Sequence, residues 1–471
     1  MIAPFTSQER IAYFTMEIAL RSDIPTYAGG LGVLAGDMIR SAADCELPMV
    51  TVTLVSRRGY FRQEIDQLGR QVEKPDGWDP ARFARRLGAQ IAVPIEGREV
   101  WVGAWLYVLE GVPVGREPVI LLDTDLDQNS PADREITHHL YGGDAAYRLK
   151  QEIVLGIGGV RMLEALSVRV RQFHLNEGHS ALLTLELLRR HAFPAESVRP
   201  GEARYNVQQV RERCNFTTHT PVEAGHDRFG YDLVQHVLGD FIEIAVLKSV
   251  AGEDHLNMTQ LALNLSEYVN GVAKRHAETS EHMFPGFRVR AVTNGVHAPT
   301  WAGPSMQKLF DAHVPGWRHE PEILVRADCC IPDDQVWQAH LEAKQGLVGH
   351  VRGTVGVELD PRLPIIGFAR RMTAYKRPDL LFLDLGRLRA IARIRPFQIV
   401  LAGKAHPHDD GGKRSIEAIH RYRHALADVL PVVFLPNYDM TVAAALVSGC
   451  DLWVNTPLPP YEASGTSGMK A

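Results

Sequence analysis

Arg370, Arg371, Lys376 and Arg377 fall within eight residues of one another in the run ARRMTAYKR, directly after the apolar stretch LPIIGF. Such a cation run is ordinarily a solvated face. Here it follows a buried strand, where the charges would repel one another unless a polyanion lay among them, and phosphate is the polyanion this pattern suits. The segment YEASGTSGMKA reads similarly: small hydroxyl and glycine residues before a helix start make a phosphate-binding loop. Lys470 sits where it could form an imine with a carbonyl cofactor or pair with a phosphate. A surface lysine is equally compatible with its spacing.

Three further clusters follow apolar stretches. YAGGLGVLAGD is a glycine loop running into a helix, where backbone N–H groups could hold an anion, and it is as readily a tight turn. Glu177-Gly-His179 follows FHLN, and Thr218-His219-Thr220 follows CNFT. A single histidine at a strand end is usually a hydrogen-bonded structural group; several polar strand ends converging suggest a sugar or phosphate pocket. KAHPHDD lacks metal-ligand spacing and reads as a polar loop, and the GxGG of LGIGGVRML, inside a helical tract, reads as a close-packing site rather than a dinucleotide loop.

The elements that must carry these clusters alternate. RIAYFTM and MVTVTLVS read as buried strands flanking the helical LGVLAGDMIRSAADCEL, a βαβ unit. From about 57 to 123 short alternating stretches such as REVWVGAWLYVLEG predict an antiparallel excursion. QFHLN, NFTTHT and FRVRAVTNGV alternate with helical tracts, which predicts a mainly parallel sheet. A Pro-rich stretch near 298–334 and a helix from PDDQVWQ onward predict a domain boundary there. Beyond it LPIIGF, FQIVLAG, PVVFLP and CDLWVN alternate with helices in a second doubly wound domain, with Pro378 at a first helical position. Ligands in such sheets lie beyond the carboxyl ends of the strands, where all the clusters above fall.

Length and composition set the outer bounds. The chain has 471 residues, 45% hydrophobic and 23% charged, with formal net charge −5. This excludes collagenous, disordered and coiled-coil classes and gives no overall attraction to nucleic acid or an anionic membrane. The first residues, MIAPFTSQER, carry no secretory signal, and no apolar run is long enough to span a bilayer. Five cysteines without CxxC spacing predict reduced thiols in a cytoplasm.

In order along the chain, the blocks GGLGVLAGD, LKQE, HLNEGHSAL, TTHTPVEAGHDRF, NMTQLALNLSEYVNGVAKRH, VTNGVHAPTW, ARRMTAYKRPDLL, LAGKAHP, NYD and EASGTSGMK resemble those of the α-glucan (glycogen, starch or maltodextrin) phosphorylases, particularly the shorter bacterial type. The resemblance implies an α/β fold with two Rossmann-like domains facing a cleft, of the GT-B type. Residues 1–305 would form the first domain with its excursion at 57–123, residues 306–352 a Pro-rich linker and connecting helix, and residues 353–471 the second domain. It also implies a transferase that uses inorganic phosphate to release glucose 1-phosphate from an α-1,4-glucan with retention. The cofactor would be pyridoxal phosphate, whose phosphate does the acid–base work.

By the same resemblance His219, Arg371, Lys376 and Lys470 would be catalytic. Lys470, Thr466, Ser467, Gly30, Arg370, Lys376, Tyr438 and Trp301 would surround the cofactor. Gly29, Glu177, His179, His219, Asn294, Glu462 and Gly465 would meet the sugar. No metal, nucleic acid or membrane is implied, a cytoplasmic location is, and a homodimer is compatible.

The sequence departs from the family pattern in places. Asp439 follows Tyr438 where the family commonly has Arg, so cofactor phosphate would lose a ligand, and Thr373 replaces a histidine in the cation block. The family's regulatory N-terminal extension is not expected here. The second domain is expected to be C-terminally incomplete, because relatives continue well beyond the lysine and Lys470 is followed only by Ala471. Two other readings stay open: a nucleotide-sugar glucosyltransferase of the glycogen-synthase type, and a non-catalytic glucan-binding remnant.

Overall fold

A computed structural model describes residues 2–112, 114–199, 202–222 and 225–471; Glu223 and Ala224 of the TTHTPVEAGHDRF block lie outside the described residues. The chain forms two compact units, Met1–Tyr60 with Gly77–Asn294, and Phe61–Asp76 with Gly295–Ala471. The sequence reading puts the break near 305 and leaves residues 61–76 in the first domain. Local alternation carries no information about which core a segment packs on.

In the first unit the strand Arg10–Thr15 is central. It pairs in parallel with Met49–Leu54 on one side and Val170–Asn176 on the other. The sheet continues in parallel to Cys214–Thr217, Tyr268–Gly271 and Arg290–Ala291 in one direction and to Arg116–Asp123 in the other. Beyond Arg116–Asp123 the pairing turns antiparallel through Arg98–Glu110, Arg85–Arg86 and Ile91–Ile95. Val50, Val52, Phe14 and Ile120 are fully buried, as expected for strands covered on both faces.

The helical tract Ala145–Ala165 contains one widened π turn at Val154–Gly158. A methyl at Gly156 would lie 2.6 Å from the Leu183 backbone nitrogen, and one at Gly159 would lie 2.4 Å from the Phe14 ring. The GxGG signal is therefore close packing of this tract against a helix and a strand.

The second unit is a parallel sheet in the order Val432–Leu435, Gln398–Ala402, Ile365–Ala369, Leu452–Trp453. Its faces are covered by helices Asp333–Val355, Asp410–Leu426 and Met440–Gly449. One local expectation fails. Pro378 starts no helix; that element begins at Leu385, where Asp384 accepts the Arg387 N–H at 2.8 Å. Arg377 just before Pro378 adopts a left-handed φ of 49°, which suits a turn and not a helix entry. Among the described residues no helix is long and apolar enough to cross a membrane.

Candidate functional site

Each unit gathers its candidate residues at the carboxyl ends of its strands. In the first unit the parallel strands Val170–Asn176 and Cys214–Thr217 end side by side, with Asn176 opposite Thr217. Glu177, at φ 72°, turns its carboxylate onto the next strand end. Its Oε2 accepts the His219 N–H at 2.7 Å and the Thr220 hydroxyl at 2.9 Å, and its Oε1 accepts the Gly178 N–H at 3.0 Å. Burial raises its pKa while these donors oppose the rise. His219 Nε2 meets Asn176 Oδ1 at 2.6 Å. Burial lowers His219 and His179 each to about 3, so both are neutral near pH 7.

His179 belongs to a second polar group. Its Nε2 lies 3.5 Å from Asp227 Oδ2, and Arg148 joins Asp227 at 3.1 Å and Glu152 at 2.9 Å. Burial pushes Asp227 up, but Arg148 and His179 outweigh it and hold the carboxyl below its usual range. The Tyr141 ring packs edge-on to His179 at 5.8 Å, and its hydroxyl donates to Glu17 at 2.9 Å. Glu17 in turn accepts the N–H groups of Ala28 and Gly29 at 2.7 and 3.1 Å, fixing the glycine loop from which helix Gly30–Asp44 starts. The structure thus brings Gly29, Glu177, His179 and His219 into two adjoining networks. Gly30 is exposed, and Asn294 is tied by its N–H to the Val272 carbonyl at 3.1 Å.

In the second unit the strand Ile365–Ala369 delivers Arg370, whose side chain is 6% exposed. Arg370 Nη2 donates to Glu462 Oε1 at 2.9 Å, and Lys376 holds the other carboxylate oxygen. The carboxylate relieves the repulsion that the cation spacing implies. Arg370 Nη1 is buried with no acceptor among the described residues. Gly465 is close to this fork, since a methyl there would lie 3.2 Å from Arg370 Nη2. Arg371 is exposed.

Arg377 has a different task. Its Nε and Nη2 donate to the carbonyls of Thr456 and Pro457 at 2.7 and 3.2 Å, so it braces the loop that leads to Glu462. Asp439 caps helix Met440–Gly449 by accepting the Val442 N–H at 2.9 Å. Tyr438 beside it is half-buried, and its hydroxyl pKa is raised by burial.

At the other edge Lys470 Nζ lies 3.9 Å from the centre of the Trp301 ring, a cation–π contact on a ring that is 3% exposed. Thr466 stands at the start of the turn Ser467–Lys470, and Ser467 Oγ bridges Trp453 Nε1 and Asn455 Oδ1, each at 3.2 Å.

The sequence reading missed Glu17, Arg148, Asp227 and Asn176. Asn176 stands directly before Glu177 in HLNEGHSAL, and Asp227 lies within TTHTPVEAGHDRF. Arg148 immediately precedes LKQE, and Glu17 lies just beyond the first strand with no local sign of its partners.

A family model described as Carbohydrate phosphorylase matches residues 243–471. The maltodextrin phosphorylase of Thermococcus litoralis is 38% identical over 98% of this chain and 59% of its own length. The glycogen phosphorylase of Mycobacterium bovis is 36% identical over 98% and 59%, and that of Aquifex aeolicus 32% identical over 99% and 72%. The chain spans 59% of the length of the first two relatives. With collinear similarity reaching across both units and most of the Aquifex aeolicus protein, the chain belongs to the carbohydrate phosphorylase family.

Proposed function

We propose that this chain carries the phosphate- and sugar-binding machinery of an α-glucan phosphorylase, which transfers the terminal α-1,4-glucosyl unit of a maltodextrin or glycogen to inorganic phosphate and retains its configuration. The observation that carries the reading is the Arg370–Lys376 pair, with Arg370 Nη1 left without an acceptor among the described residues, in a chain similar to proteins named maltodextrin and glycogen phosphorylase. Two phosphates need concentrated positive charge, and fixed cations aimed at developing anionic charge are usually the largest catalytic contribution. Parallel α/β sheets in both units support a GT-B type fold for the whole enzyme.

The residues fit pyridoxal phosphate. The unmatched Arg370 nitrogen calls for an anionic oxygen, and Lys470 presents an amine against the flat face of Trp301. Lys470 would hold the cofactor covalently, with Arg370, Lys376, Tyr438, Thr466, Ser467, Gly30 and Trp301 around it. When bound, the group supplies a phosphate that exchanges a proton with the substrate phosphate. Arg371 and Lys376 would bind substrate phosphate and keep it ionised. Glu462, Gly465, Gly29, Asn294, Glu177 and His179 would orient the sugar. Neutral His219, held by Glu177 and Asn176, would accept or donate hydrogen bonds to a sugar hydroxyl without adding charge near the developing glycosyl cation.

The test is direct. The protein incubated with pyridoxal phosphate, maltodextrin and phosphate is expected to form glucose 1-phosphate. Borohydride should fix the cofactor to Lys470 as a mass increase that Lys470→Ala abolishes. No glucose 1-phosphate and no fixed cofactor sinks the reading, turnover of ADP-glucose points to the glycogen-synthase alternative, and glucan binding without either points to a binding remnant.

A further inference from the structure

The hairpin Arg62–Ile65/Gln71–Lys74 belongs to the second unit, although the chain on either side of it belongs to the first. Its most buried side chains are two glutamines, Gln63 at 2% and Gln71 at 7% exposure, beside Ile65, which packs on the core. Two buried amides are costly unless their donors and acceptors are matched, and these are matched to backbone far along the chain. Gln63 and Asn437 form a reciprocal pair: the Gln63 N–H donates to Asn437 Oδ1 at 3.1 Å and the Asn437 N–H donates to Gln63 Oε1 at 2.9 Å, across 374 residues. Gln63 Nε2 donates to Gln71 Oε1 at 2.8 Å and to the Gly403 carbonyl at 2.9 Å. Gln71 exchanges two hydrogen bonds with the Ala405 backbone, each 2.9 Å.

Both targets abut residues of the anion site. The Gly403–Ala405 loop backs Arg370: a methyl at Gly403 would lie 1.9 Å from the Arg370 carbonyl oxygen, and the Lys404 carbonyl accepts the Met372 N–H at 2.9 Å. Asn437 adopts φ 54° directly before Tyr438, a left-handed conformation that needs outside support. Gln63 supplies it at both Asn437 groups.

We propose that Gln63, assisted by Gln71, is a positioning residue for the phosphate-binding site. It sets the separation between the Arg370–Met372 turn and the Asn437–Tyr438 turn, so that Arg371 meets substrate phosphate beside the phosphate-bearing group that Arg370 and Tyr438 address. The inference rests on the reading of Arg371 and Lys376 as the substrate-phosphate ligands.

The test titrates inorganic phosphate into the full chain by calorimetry, with KM for phosphate and for maltodextrin measured alongside. Gln63→Ala is expected to raise the phosphate dissociation constant and its KM by about fivefold or more while leaving the maltodextrin KM within about twofold. Lys413→Ala is the control, because it removes the Lys413–Glu73 ion pair of the same hairpin without touching Gly403 or Asn437, and should bind phosphate as wild type does. If Gln63→Ala does not fold, Gln63→Glu keeps the acceptor for Asn437 and loses the donor for Gly403, and is expected to weaken phosphate in the same direction. A lowered melting temperature with unchanged phosphate affinity in the folded variant overturns the positioning role and leaves the anion site standing. A wild-type chain that takes up no phosphate overturns both.

Discussion

Glu177 holds the main chain of His219: one carboxylate oxygen accepts the His219 N–H at 2.7 Å while the imidazole Nε2 of the same histidine meets Asn176 at 2.6 Å. The end of one strand therefore fixes both the backbone and the ring of the next strand's histidine. Glu177→Ala removes acceptors for three donors in a buried place and is expected to destabilise the protein by about 3 kcal/mol. Glu177→Gln, which keeps an acceptor, should cost clearly less. Urea unfolding followed by tryptophan fluorescence gives both values, and equal losses for the two variants would show that the carboxylate oxygens do not act as described.

Glu117 is 1% exposed beside Arg10, and burial lifts its carboxyl to about 8. Between the ordinary carboxylate pKa and 8 the folded protein holds a proton that the unfolded chain has released. This contribution is complete below the unfolded pKa and is lost as pH rises through 8, at a limiting slope of about 1.4 kcal/mol per pH unit. Glu117→Gln should flatten the decline of melting temperature between pH 5 and 8. An unchanged slope in the variant would refute the assignment.

His179 behaves oppositely, because burial and then Arg148 depress it to about 3. The unfolded chain binds the proton that the folded one refuses, so this contribution is present above the ordinary histidine pKa and is lost as pH falls toward 3. At pH 5, unfolding of His179→Gln should take up about one proton fewer than the wild type, measured by pH-stat during urea unfolding. Equal uptake would mean that His179 is already charged in the fold.

Arg377 ties the Thr456 and Pro457 carbonyls. Arg377→Ala should cost about 2 kcal/mol of stability, yet leave the phosphate affinity of the folded protein within about twofold, whereas Arg371→Ala should abolish it. Equal losses of phosphate affinity in the two variants would return Arg377 to the binding cluster.

The parallel strands were legible because each is a short β-branched run between turn residues, and the polar groups after them were legible because topology sends strand ends to ligands. Glu177 and His219 could be placed in this way. Partners distant in sequence could not. Nothing in ARRMTAYKR announces that Glu462 lies between Arg370 and Lys376, or that Arg377 turns away to brace the Thr456 loop. Asp439, set against the family pattern, shows only an absent cation; its spacing to Val442 is that of a helix cap as well. Pro378 was assigned from a rule about helix starts that the left-handed Arg377 overrides.

The placement of Phe61–Asp76 bears on how the protein is made. Synthesis proceeds from the amino terminus, and domains generally fold as units as they emerge. The strands that give Gln63 its partners appear only some three hundred residues later. Until then the two amides have only each other and Glu73 as partners, and the hairpin has no sheet to rest on, so the first unit must fold around an extruded loop. A gene cut at Asn294 would leave that loop permanently without its partners, and a fragment beginning at Gly295 would fold without its clasp. Soluble expression of the second unit should then depend on supplying residues 61–76 within the same molecule.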